Sequence, residues 1–189
     1  DSIDVENAPT SLFARRQTSV PAPLWTPRSD AGHHMRPPTV SIITTTHNSR
    51  PYLMAAVASL QAQTLADWEL IAVDDSSTDG TFAFLAALAA ADARIRPIHA
   101  MQSSGTYVAR NLALTMARGE FVALHDSDDV STPDRLETQV SALRADTAAV
   151  ACTCNYERRD ERGRIVMNRG LRARLAPMAL TFRRAAVLD

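Results

Sequence analysis

Thr39-Val40-Ser41-Ile42-Ile43-Thr44-Thr45-Thr46 is the stretch on which the fold turns. Val40, Ile42 and Ile43 form a short β-branched run that gives way to hydroxyl side chains, the mark of a buried strand reaching a loop. Pro51 stands where proline opens helices, and Leu53, Met54, Val57 and Leu60 then fall on one face at helical spacing. A second apolar strand follows at Leu70 to Val73, and Asp74 to Gly80 is its loop. Phe82, Leu85 and Leu88 predict a helix, Ile95 to His99 a third strand, and Val108, Leu112 and Met116 an inward-facing helix. Phe121 to Leu124 is a fourth strand; Leu136, Val140 and Leu143 then return to helical period, and Ala149 to Tyr156 reads as strand. Ala179 to Phe182 predicts a last strand, with a helix starting at Arg184. Strands alternating with helices of this length define an α/β fold, an open, mostly parallel sheet with helices on both faces. Ligands of such sheets bind beyond the carboxyl ends of the strands, so loops 44–48, 74–80 and 125–129 are expected to converge.

Upstream of this pattern, residues 1–38 carry Pro9, Pro21, Pro23, Pro27, Pro37 and Pro38 with few periodic apolar positions, which reads as a linker or arm. Residues 39–189 read as one domain, a size that 189 residues with 46% apolar content support. His33 and His34 lack acidic or thiol company and read as solvated. Asp1 and Asp189 both look like cuts in a longer chain.

Composition narrows the chemistry. A formal net charge of -1 provides no global field for nucleic acid or an anionic membrane, so an anionic ligand must be held by local groups. All 20 basic residues are arginine, which excludes lysine-containing phosphate loops and Schiff-base chemistry. Cys152 and Cys154 form neither a disulfide framework nor a paired zinc motif; a cytoplasmic setting is expected, with both thiols on one strand face, buried and inert. No stretch approaches the roughly 18 apolar residues of a membrane span, and no signal peptide opens the chain, so this part reads as soluble.

Two acidic clusters follow apolar strands: Asp74-Asp75-Ser76-Ser77-Thr78-Asp79-Gly80 and Asp126-Ser127-Asp128-Asp129. Turn and cap chemistry accounts for most of Ser76 to Asp79. It explains less well why like charges crowd at each strand end, an arrangement that becomes favourable when a divalent cation shares the site. Mg²⁺ or Mn²⁺ takes hard oxygen ligands, typically one or two protein carboxylates plus substrate phosphates, and Asp126-x-Asp128 offers such a pair.

The segment from Thr39 to Leu143 resembles the inverting glycosyltransferases of family 2, which have the Rossmann-like GT-A fold. The matching pieces include Val40-Ser41-Ile42-Ile43, His47-Asn48, Trp68-Glu69-Leu70, Asp74 to Thr81, Gly105, Ala109-Arg110-Asn111, Gly119-Glu120, Asp126 to Asp129 and Pro133-Asp134-Arg135. The resemblance implies that Thr45, His47, Asn48 and Asp75 contact the nucleoside and that Arg110 and Asp126 lie near the donor diphosphate. It implies a metal at Asp126 and Asp128, with Asp128 the more direct ligand. His47 stands where the family commonly has tyrosine, so donor affinity is expected to acquire a pH dependence. The implied reaction transfers sugar, with inversion, from a nucleoside-diphosphate sugar, a UDP-sugar foremost, to a glycan or lipid-linked acceptor, in cell-envelope or capsular polysaccharide synthesis at the inner membrane face. The general base in relatives lies beyond the segment corresponding to Asp189, so residues 1–189 are expected mainly to bind donor.

A nucleotidyltransferase and a non-catalytic sugar-nucleotide-binding module remain alternatives; the first usually carries a Gly-rich basic loop, where this chain has Thr44 to Ser49. Residues 157–184 hold nine arginines and read either as a surface for a phospholipid-linked or anionic acceptor or as a solvated hairpin turning at Gly163.

Overall fold

A computed structural model describes residues 36–158, 160, 162, 164–166 and 179–188. Most of the 1–38 arm, together with Gly163, lies outside them. Eleven elements follow in the order β1 (Val40–Thr46), α1 (Arg50–Gln61), β2 (Trp68–Asp75), α2 (Thr81–Ala91), β3 (Ile95–Ala100), α3 (Thr106–Met116), β4 (Phe121–Leu124), α4 (Arg135–Ala145), β5 (Ala151–Cys152), β6 (Thr181–Arg183) and α5 (Ala185–Leu188).

The strands form one sheet in the order β3-β2-β1-β4-β6-β5. β1 pairs in parallel with β2 and β4, and β2 with β3, while β6 runs antiparallel to both β4 and β5. The sheet is therefore mostly parallel, and β1 and β2 are apolar on both faces because both faces are covered. On one face Val40, Ile42, Leu70 and Phe121 pack against Leu53 and Val57 of α1, Leu85 of α2 and Leu136 and Val140 of α4. On the other, Ile43, Ile71, Val73 and Val122 pack against Ala109 and Ala113 of α3. Each large side chain buried this way contributes about 1.5–3 kcal/mol.

Two expected positions lie off the packed faces. Met54 and Val108 are each 55% exposed, whereas Leu53, Val57 and Leu60 of α1 are buried as expected, and Leu112 and Met116 of α3 pack against the core beside Ala109 and Ala113. A residue adjacent to a buried position lies about 100° round the helix, and the two alanines on the packed face of α3 let its backbone approach the sheet, leaving Val108 outside. The strand expected from Ala149 to Tyr156 is only two residues long, because only Ala151 and Cys152 find partners on β6. Cys154 lies beyond it and both thiols are half-buried rather than buried. Burial first, then the neighbouring Cys154, raises the Cys152 thiol pKa, which keeps it protonated. In the arginine-rich segment Val166 N–H donates to Arg158 C=O at 2.7 Å, and Asp160 N–H to Arg164 C=O at 2.9 Å.

The amino-terminal edge of the sheet is pinned by Glu69. Its carboxylate accepts from Ser41 Oγ at 2.7 Å, and pairs with Arg96 and Arg118 at 2.8 Å each. A Cβ on Gly119 would meet Ser41 N at 2.5 Å, so only glycine admits β4 this close to β1. The carboxyl-terminal edge, where β1, β2, β3 and β4 all end, is free to carry loops.

Candidate donor and cation site

At that edge the first two loops are laced together. Asn48, at φ 51, accepts from Thr78 N–H on its Oδ1 at 2.9 Å and donates its own N–H to Ser77 Oγ at 2.8 Å. Asparagine tolerates this left-handed backbone better than most side chains. Ser76, at φ 64, takes the same region directly after Asp75. Ser49 N–H donates to Thr81 Oγ1 at 3.0 Å, and Arg50 N–H to Asp79 Oδ2 at 3.1 Å. His47 Nδ1 donates to Asp75 C=O at 2.7 Å, and Asn48 Nδ2 donates to His47 Nε2 at 3.2 Å, an arrangement assigned to the Nδ1–H tautomer.

Strand alternation separates the two aspartates that end β2. Asp74, fully buried, accepts from Thr46 Oγ1 at 3.0 Å, from both the N–H and hydroxyl of Ser77, and from His99 Nδ1 at 2.9 Å. Asp75 turns to the other face and takes hold of the loop leading into α3. Its oxygens accept from Ser103 Oγ at 2.9 Å, Ser104 N–H at 2.8 Å, Ser104 Oγ at 3.4 Å and Gly105 N–H at 2.9 Å. Burial alone would raise the Asp75 pKa, but the hydrogen bonds from Ser104, Ser103 and Gly105 outweigh it and hold it below the ordinary value.

α3 carries the connection onward. Arg110, one turn into the helix, pairs with Asp126 Oδ1 at 2.6 Å. The site residues expected on this face are thus brought together, with Asp75 on the amino-terminal end of α3 and Asp126 on its arginine. Thr45 alternates with Ile43 toward the same face and is half-buried, while His47 and Asn48 are exposed at the rim. Asp128 is exposed and has no side-chain hydrogen bond or ion pair among the described residues. Desolvation, and then the charges of Asp126 and Asp128, push the Asp129 carboxyl above its usual range even though its surface remains accessible.

The acidic loop rests on a fixed base. Ser127 Oγ donates to Ser49 Oγ at 2.8 Å, tying it to the first loop. Buried Arg135 donates to Leu124 C=O at 2.7 Å, to Ser131 Oγ at 3.1 Å and to Gln139 Oε1 at 3.1 Å. Asp74, His99, Ser103, Ser104, Ser127 and Arg135 had no assigned role in the sequence. Asp74 and Ser127 lay inside the quoted clusters, whereas nothing in the sequence marked Ser103 and Ser104 as ligands of Asp75.

The donor set fits a divalent cation. Asp126 and Asp128 present hard carboxylate oxygens two residues apart, beside Asp129, whose carboxyl is raised first by burial and then by the charges of both. Among the described residues no three His, Cys, Asp or Glu side chains form a closed cage, so further ligands would come from substrate.

The open sheet, the loops at its carboxyl edge and the acidic pair after β4 define the GT-A architecture of sugar-transferring enzymes. The sequence model described as Glycosyl transferase family 2 matches residues 41–187, and the chain belongs to that family. A putative teichuronic acid biosynthesis glycosyltransferase of Bacillus subtilis (strain 168) is 41% identical over 116 residues, covering 61% of this chain and 46% of that protein. An Escherichia coli enzyme named UDP-Glc:alpha-D-GlcNAc-diphosphoundecaprenol beta-1,3-glucosyltransferase is 38% identical over 104 residues, 55% of this chain and 40% of that one. The chain therefore spans less than half the length of these curated relatives. A Pyrobaculum calidifontis mannosyltransferase, solved with GDP-Man and Mn²⁺, superposes with a TM-score of 0.58 at 28% identity, covering 65% of this chain and 36% of that one. TarS of S. aureus, residues 1–349, gives a TM-score of 0.65 at 24% identity over 78% of this chain and 46% of that chain, a likeness of fold. Among the described residues no helix is long and apolar enough to cross a membrane.

Proposed function

We propose that this protein transfers a sugar, with inversion, from a nucleoside-diphosphate sugar to an acceptor hydroxyl in the synthesis of a cell-surface polysaccharide. The observation that carries the reading is the bridge made by α3: Asp75 holds its amino-terminal end and Arg110 holds Asp126. The second loop, and the first loop laced to it by His47, are thereby kept in register with the acidic pair, as a ligand with a nucleoside at one end and a diphosphate at the other requires.

In this reading Thr45, His47 and Asn48 flank the nucleoside. Asp75 reaches a base N–H or ribose hydroxyl by giving up its longest contact, the Ser104 hydroxyl at 3.4 Å. The Arg110 guanidinium, a planar fork, exchanges Asp126 for a phosphate oxygen. Asp126 and Asp128 are the residues that would hold Mn²⁺ or Mg²⁺, which would supply Lewis-acid neutralisation of charge on the departing diphosphate. The acceptor proton goes to a carboxylate outside this set, a contribution of about 10² to 10⁴ in rate. UDP-sugars and GDP-sugars are the first donors to examine, given the UDP-Glc and GDP-Man in the names of the E. coli and P. calidifontis proteins. The diphosphoundecaprenol in the first of these names supports, by analogy, a lipid-linked acceptor, and we place the reaction at the inner membrane face on that reading.

The test is thermal stabilisation by a panel of nucleoside diphosphates and nucleotide sugars, with and without Mn²⁺. A donor present at about 100 times its Kd adds about 2.7 kcal/mol of stability. Cation-dependent stabilisation by one base is expected, and no stabilisation by any member overturns the proposal.

A further inference from the structure

His125 takes no part in the site described above, yet it stands where β4 becomes the acidic loop. Its backbone N–H donates to Ile43 C=O at 3.1 Å, which carries the β1–β4 ladder one residue past the strand and sets His125 beside Thr44. It alternates with Phe121 and Ala123, so the imidazole lies on the face covered by α1 and α4. His125 is 2% exposed and Thr44 is 3% exposed. Neither ring nitrogen of His125 has a hydrogen-bond partner among the described residues, and neither does Thr44 Oγ1. Buried polar groups are nearly always paired, so two unpaired groups on adjacent strands beneath one loop call for an explanation.

Among the described residues the surroundings supply no hydrogen-bond partner, although the adjacent Asp126 backbone already lies close enough to bear on the ring. Arg135, the charged group facing His125 from α4, directs its donors to Leu124 C=O, Ser131 and Gln139. Burial, and then the Arg135 charge, depress the imidazole against the opposing Asp126 backbone, and a neutral ring offers one donor and one acceptor. In the proposed function the loop directly above changes its seating, because Asp126 exchanges Arg110 for a cation.

We propose that His125 is a positioning residue for the acidic loop, a buried polar seat that the Asp126-Ser127-Asp128 backbone engages once cation and diphosphate are bound, with Thr44 assisting. The inference rests on the reading of that loop as the diphosphate site. Its physical content is a trade: polar groups left unpaired in the free protein cost stability, and the cost is recovered in the bound state. A histidine that merely fills space has no such signature.

The experiment measures melting temperature and calorimetric affinity for UDP and for GDP with Mn²⁺ in the full-length protein, for wild type, His125→Leu, His125→Gln and Thr44→Val. Leucine is expected to raise the free protein's Tm by a few degrees while weakening binding about tenfold, because an apolar isostere removes the unpaired groups. Glutamine, with a donor and an acceptor, is expected to restore affinity. Thr44→Val is expected to show the same opposition on a smaller scale, and it decides the matter if the leucine variant does not fold. Wild-type affinity in the leucine variant, or a loss of affinity that tracks a fall in Tm, overturns the positioning role alone. Failure of the wild type to bind either diphosphate with Mn²⁺ overturns the diphosphate reading and this inference with it.

Discussion

The two acidic clusters, Asp74 to Asp79 after β2 and Asp126 to Asp129 after β4, flank β1 and look alike in sequence, but their carboxylates are spent differently. In the first, every aspartate is committed inside the protein: Asp74 to Thr46, Ser77 and His99, Asp75 to residues 103–105, and Asp79 to Thr81 and Arg50. In the second, among the described residues, the Asp126 carboxylate has a single partner, Arg110, Asp128 has no side-chain hydrogen bond or ion pair, and burial and then its like-charged neighbours raise Asp129. A carboxylate with its acceptors filled is part of the frame; one left open among like charges favours an external cation. In the proposed reading the first cluster shapes the crevice, with only Asp75 reaching the nucleoside, and the second takes the cation and diphosphate.

The largest separation between them is expected in stability. Asp74→Ala removes the acceptor for Thr46, Ser77 and His99 in a fully buried position and is expected to cost about 3 kcal/mol or more in urea unfolding. Asp128→Ala, at an exposed position, is expected to stay within about 0.5 kcal/mol of wild type. Equal losses would erase the contrast.

A smaller effect appears with acid. The Asp75 pKa is held below 3.8 in the folded protein, so the unfolded chain takes up the proton first as pH falls. The stability Asp75 contributes is complete above the unfolded value and is lost as pH drops through the lower folded value. Melting temperature followed from about pH 5 to about pH 2 should therefore fall less steeply in Asp75→Asn than in wild type. Parallel curves would show that residues 103–105 do not depend on the charged carboxylate.

The smallest effect is expected at the hinge between the clusters. Arg110→Lys keeps the charge but not the fork, and should weaken cation-dependent nucleotide affinity by about threefold to tenfold with little change in stability. An unchanged affinity would detach Arg110 from the diphosphate.

The alternation of strands and helices was legible because β1, β2 and β4 are short apolar runs ending in polar loops, a signal set by burial on both faces. The two-residue β5 was not, since its extent is decided by where β6 lies rather than by its own residues. Met54 and Val108 misled because an apolar residue at helical spacing need not sit on the buried side. At the site, the acidic positions could be read from their place after strands, but their inequality could not. That Asp75 is saturated depends on Ser103, Ser104 and Gly105, about 30 residues away in sequence and brought to it by the β2–β3 pairing.

The most direct measurement is calorimetric titration of UDP and GDP into wild type, Asp128→Ala and Asp79→Ala, each with and without Mn²⁺. Cation-dependent binding in wild type and Asp79→Ala, weakened about a hundredfold or more in Asp128→Ala, is the predicted result. Binding in Asp128→Ala as tight as in wild type would contradict the assignment of the second cluster to the cation.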